Sequence, residues 1–117
     1  MDYSLDYHLI EANEKYPVPK DKKPHERYYE QETLIEFRAR AETILSRIIY
    51  EYPHDKRIAI ISHGRMINML FRSFLKLPIN TEMEISSADT GAHLWRVGDG
   101  KRHIVFLNST EHLSSLE

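Results

Sequence analysis

Ser62, His63, Gly64 and Arg65 are the residues best placed to do chemistry, because of what flanks them. Before them runs Ile58-Ala59-Ile60-Ile61, β-branched at every position but Ala59. So short an apolar run suits a strand covered on both faces, as strands of parallel sheets are. After them Met66 to Leu77 reads as a helix, apolar nearly all round before Arg72. A histidine at the carboxyl end of a parallel strand, beside a glycine that lets backbone approach a ligand, lies where α/β folds keep their sites. The helix behind it supplies amide hydrogens and partial positive charge, so the preferred guest is an anion. An imidazole with a pKa of about 6.5 can carry the positive charge that a dianion calls for. The same ring could instead cap the strand by bonding a neighbouring carbonyl, and Arg65 could face the mouth or the solvent.

Other chemistries find less support. The histidines fall at 8, 25, 54, 63, 93, 103 and 112, with no two of them three to five apart and no cysteine to help, so no metal site is expected. His93 and His103 sit on two β-rich runs and could face each other as ordinary strand residues. Ser62 lacks the Gly-x-Ser-x-Gly elbow, and neither a glycine-rich phosphate loop nor a dinucleotide fingerprint is present.

The elements that must position Ser62 to Arg65 follow from periodicity. Leu34, Phe37, Ala41, Ile44, Leu45, Ile48, Ile49 and Tyr52 recur at steps of three and four, the stripe of an amphipathic helix. Thr33 with Glu36 makes a capping-box pattern at its start, and Pro53 ends it. Arg38, Arg40, Glu42, Ser46 and Glu51 mark its solvent side. The helix after Gly64, apolar on most sides, must be sandwiched rather than laid on the surface. Ala88 to Gly91 reads as a tight turn. Ala92 to Val97 and His103 to Leu107 then flank Gly98-Asp99-Gly100, the pattern of an antiparallel hairpin. Upstream, His8 to Ile10 could form a short strand. Lys15 to Arg27, with Pro17, Pro19 and Pro24, reads as a loop whose lysines are either a solvated face or a contact for a phosphorylated ligand.

Composition sets outer bounds. A chain of 117 residues supports one modest core, so residues 1–117 are expected to form a single domain. A net charge of −2 gives no global case for nucleic acid or an anionic membrane. The absence of cysteine agrees with a reducing compartment. Met1 to Asp6 is acidic and lacks an apolar core, and no stretch approaches a membrane span. The expectation is a cytoplasmic protein with no membrane or nucleic-acid partner.

These residues carry a resemblance. Ser62-His63-Gly64 after an apolar strand is similar to the second histidine motif of the histidine phosphatase superfamily, the phosphoglycerate mutase-like proteins. Leu9-Ile10-Glu11-Ala12-Asn13 resembles the segment that holds its acid. Glu32-Thr33 opening a helix with Phe37 and Arg40, then Asp89-Thr90-Gly91 with Asn108 to Leu113, follow in the family's order. The resemblance implies phosphoryl transfer on small phosphorylated metabolites through a phosphohistidine. It implies that His63, Gly64 and Arg65 bind phosphate and that Glu11 protonates the leaving oxygen; by spacing alone Glu11 reads rather as a surface glutamate. No cofactor is implied. The ligand would be a phosphorylated metabolite or inorganic phosphate.

The family's attacking histidine sits in Arg-His-Gly at the end of a first strand, and Arg-His-Gly occurs nowhere in these 117 residues. Turnover is therefore expected to be impaired. Loss of that strand would leave the edge of strand 57–62 open to a second copy of the chain. The expected fold is α/β: a short mixed sheet, made of a central parallel strand at 57–62 and the C-terminal hairpin, flanked by helices, in an incomplete phosphoglycerate mutase-like domain. A noncatalytic module that binds a phosphorylated ligand or self-associates is the alternative.

Overall fold

The computed structural model describes residues 21–27, 31–52, 57–88 and 91–111. Helix α1 spans Leu34–Glu51 and opens on the expected capping box. The Glu36 amide donates to Thr33 Oγ1 at 3.2 Å, and the Thr33 amide donates to Glu36 Oε1 at 2.7 Å. Two first-turn donors without helical acceptors are thereby satisfied, an arrangement worth about 1 kcal/mol. At the other end Tyr52 is extended, as the residue before a proline prefers. Of the predicted stripe, Phe37, Ala41, Ile44 and Leu45 lie in the core and Leu34 and Ile48 pack against it, whereas Tyr52 falls beyond the helix and is exposed. Arg38 and Arg40, expected on the solvent side, are instead mostly covered: Arg38 donates to the Leu77 carbonyl at 2.8 Å, and Arg40 lies over the Phe37 ring and holds Glu32 through two hydrogen bonds, at 2.6 and 3.1 Å.

Helix α2 spans Gly64–Phe74. It buries Met66, Met69, Leu70 and Phe74 against α1 and turns Phe71 and Phe74 towards Trp95, with ring centroids 5.9 and 5.3 Å apart. The apolar sides of the helix have thus found cover, whereas Arg65, Asn68 and Arg72 form a polar side that the sequence reading did not separate. Its carboxyl end closes by two backbone bonds, Lys76 N–H to Ser73 O and Leu77 N–H to Arg72 O, the second at 2.8 Å. Lys76 takes the left-handed position of that motif, φ 58°, where glycine is usual. Arg102 reaches over from the hairpin and donates to the Phe74 carbonyl at 2.7 Å, placing a cation at the helix's negative end.

Strands β1 (Ala92–Gly98) and β2 (Lys101–Ser109) form the expected antiparallel hairpin. Asp99 and Gly100 both have positive φ, 52° and 71°, which is the two-residue turn that matches strand twist. Trp95, Val97 and Ile104 pack from the sheet onto the helical core. A bulge shifts the register between Ala92 and Trp95. Counted back from the turn, where Gly98 pairs with Lys101, His103 pairs with Arg96, not with His93 as the sequence allowed.

The α/β class holds, with two helices on a two-stranded sheet, but the central parallel strand does not appear. Residues 57–63 have no ladder partner among the described residues. Between Arg57 to Ile60 and the free edge of β1 lies an open cavity of about 930 Å³. Without a neighbour in that space the segment's side chains stay in water: Ile58 is 41 % exposed and Ile61 91 %. A strand's apolar pattern states what it would bury, whereas the ladder needs a second backbone at the right distance.

Candidate functional site

The site assembles at the amino end of α2. His63 is the helix's N-cap, with φ −116° and ψ 161°, and its carbonyl accepts the Ile67 amide at 2.8 Å to start the helical ladder. Its side chain makes no capping hydrogen bond and is exposed. The ring is therefore not engaged in holding the fold. Gly64 and Arg65 follow, both exposed at the positive end of the macrodipole. A Cβ added at Gly64 would meet no atom within 4 Å, so glycine leaves open space there that a ligand can enter.

The loop 81–88 is laid along α2 by two side chains of that helix. Near the carboxyl end, Arg72 Nε donates to the Met83 carbonyl at 3.1 Å, with Glu84 3.7 Å from the same guanidinium. Nearer the amino end, Asn68 Oδ1 accepts the Ile85 amide at 2.6 Å while Asn68 Nδ2 donates to the Gly64 carbonyl at 3.2 Å. Between Met83 and Ile85 the loop therefore runs antiparallel to the helix, towards its amino end.

Ser87 is then tied to the sheet. Its Oγ lies 2.9 Å from His93 Nε2, and the Asn108 amide donates to His93 Nδ1 at 3.1 Å. The Ala88 amide donates to Asn108 Oδ1 at 2.8 Å. The Gly91 amide closes the turn on the Ala88 carbonyl, also at 2.8 Å. A Cβ on Gly91 would collide with Asn108 Oδ1, so close approach of the turn to β2 requires glycine at this position. Burial pushes the His93 imidazole below the usual 6.5.

His63, Gly64 and Arg65 are thus brought together on one helix end. Glu11 lies outside the described residues, as do Asp89 and Thr90. Two contributors escaped the sequence reading. Asn68 had a signal, the one polar side chain between Arg65 and Arg72 and on the same helix face as both. Ser87 had none, since its partner His93 is reached only through the fold. Among the described residues no group of three His, Asp or Glu side chains is placed to hold a metal ion, and no helix is long and apolar enough to cross a membrane.

The family model of the histidine phosphatase superfamily (branch 1) matches residues 5–110, which takes in both helices, the loop between α2 and the sheet, and the hairpin. No curated protein and no solved structure matches the chain.

Proposed function

The chain belongs to the histidine phosphatase superfamily, branch 1, and from that premise we propose that the amino end of α2 is its phosphate-binding site. His63 and Arg65 supply positive charge and the Gly64 backbone an unobstructed approach. The ligand is a small phosphorylated metabolite or inorganic phosphate. Glu11 is the general acid that protonates a departing oxygen. Hydrolysis or transfer through a phosphohistidine is the family's chemistry. Within these 117 residues it is impaired, because the Arg-His-Gly that provides the attacking imidazole is absent.

The observation that carries this reading is the exposed His63 ring, uncommitted to capping, at the positive end of a helix. The experiment compares turnover of p-nitrophenyl phosphate with thermal stabilisation by vanadate. Stabilisation without turnover supports a phosphate site lacking its nucleophile. Turnover that disappears in His63→Ala supports a competent phosphatase. Neither effect removes the proposal.

A second reading, a module that pairs with another copy of itself, draws support from a different observation. The outer edge of β1 has no ladder partner among the described residues, and Ile58, Ile60 and Leu94 stand exposed on either side of the cavity. Sedimentation equilibrium decides it: a concentration-dependent rise in mass is the expected result, and a monomer at every concentration rejects self-pairing.

A further inference from the structure

We propose that His93 is a latch that holds the loop 81–88 at the amino end of α2 only while its imidazole is neutral. The two ring nitrogens have opposite duties. The Asn108 N–H can only donate, so Nδ1, which faces it at 3.1 Å, carries no hydrogen. The proton must therefore sit on Nε2, where it is donated to Ser87 Oγ at 2.9 Å. A neutral imidazole satisfies both partners at once, and no other protonation state does. The same tautomer keeps His93 from deprotonating Ser87, which makes that serine an anchor and not a nucleophile.

Asn108 is the hub on the far side of the ring. Its backbone amide serves the histidine, its side-chain oxygen takes the Ala88 amide, and its φ of 49° places it in the left-handed region, which asparagine tolerates better than most residues. The ring is faced by Ser87 from the loop, by Asn108 from β2 and by the Trp95 indole from its own strand, with centroids 6.3 Å apart. None of these is charged, and no charged group among the described residues pairs with the ring. Protonation puts a hydrogen on Nδ1 directly opposite the Asn108 N–H. Two donors then meet, and either the ring turns away from Ser87 or the Asn108 amide loses its acceptor.

The direction in pH follows. Burial lowers the folded imidazole's pKa below the ordinary 6.5, so the folded state resists the proton. The latch's contribution to stability is complete above 6.5 and is lost as pH falls through the folded value. Since Ile85 of the loop is bonded to Asn68, whose side chain also holds the Gly64 carbonyl, acid would loosen the loop that lies on the first turns of α2. The bearing of that change on phosphate binding rests on the phosphate reading; the latch itself does not.

Nitrogen-15 NMR of the full chain tests it. At pH 7.5 the His93 ring should show an unprotonated Nδ1 and a protonated Nε2. On acidification the amide resonances of Ala88 and Asn108 should shift in one transition that shares the His93 midpoint, below 6.5. In His93→Asn the new amide oxygen can accept from Asn108 without titrating, so that transition should vanish while the fold, followed by circular dichroism, persists. A protonated Nδ1 at pH 7.5, or Ala88 and Asn108 amides that ignore His93 protonation in the unmutated chain, overturns the latch. Inorganic phosphate, added as a probe, should bind more weakly below the same midpoint. Should phosphate bind at no pH, the α2 site reading fails, and the latch is still decided by tautomer and amide shifts.

Discussion

Asn68 accepts the Ile85 amide hydrogen at 2.6 Å and with its other side-chain atom donates to the Gly64 carbonyl at 3.2 Å. One amide side chain thus spans the gap between the first turn of α2 and the loop that lies on it. Replacing Asn68 by Ala leaves the half-buried Ile85 amide without an acceptor. The expected loss of stability is about 1–2 kcal/mol, read as a lower urea midpoint with an unchanged slope. Asn68→Asp keeps the acceptor and should lose less. Equal losses from both substitutions would mean that the Gly64 bond, not the Ile85 bond, matters.

Glu36 predicts a pH dependence. The hydrogen bond from Arg27, then the Thr33 amide, hold its carboxyl down to about 2 from the ordinary 4.5. A depressed carboxylate contributes stability that is present above its unfolded value and lost as pH falls through its folded value. The loss should therefore run from about pH 4.5 down to about 2. Because Arg27 and Glu36 are each about half exposed, the effect should shrink in high salt. Thermal unfolding of the unmutated chain and Glu36→Gln, followed between pH 2 and 7, should differ most near neutrality and converge in acid. Parallel curves would contradict the assignment.

Ile61 and Met66 separate the observed segment from the strand that its composition suggests. Ile61 is 91 % exposed and Met66 fully buried. Ile61→Ser should change stability by about 0.5 kcal/mol or less. Met66→Ala should cost about 2–5 kcal/mol through the cavity left behind. A cost of that larger size at Ile61 would restore the buried parallel strand.

The contrast shows what can be read from a chain like this. Helix α1 was legible because its signals are local: Thr33 and Glu36 sit three residues apart and the stripe repeats every turn up to the residue before Pro53. The hairpin was legible for the same reason, since Asp99-Gly100 is the turn. Residues 57–62 misled because β-branched runs report burial on two faces, while a ladder depends on a backbone elsewhere in the chain. In the site, His63, Gly64 and Arg65 were found as neighbours in sequence. Asn68 with Ile85, and His93 with Ser87 and Asn108, were not, because a bulge in β1 and the course of the loop bring them together.

The central claim is that the amino end of α2 holds phosphate through His63. His63→Ala is a clean variant for it, because the ring makes no capping bond and its loss should leave the helix intact. The measurement is the melting temperature of both proteins in rising inorganic phosphate, at constant ionic strength. A site that binds only the folded chain should stabilise it by about 2.7 kcal/mol at a ligand concentration a hundred times the Kd. The account predicts a rise that saturates in the unmutated protein and is absent in His63→Ala; equal rises in both, or none in either, would contradict it.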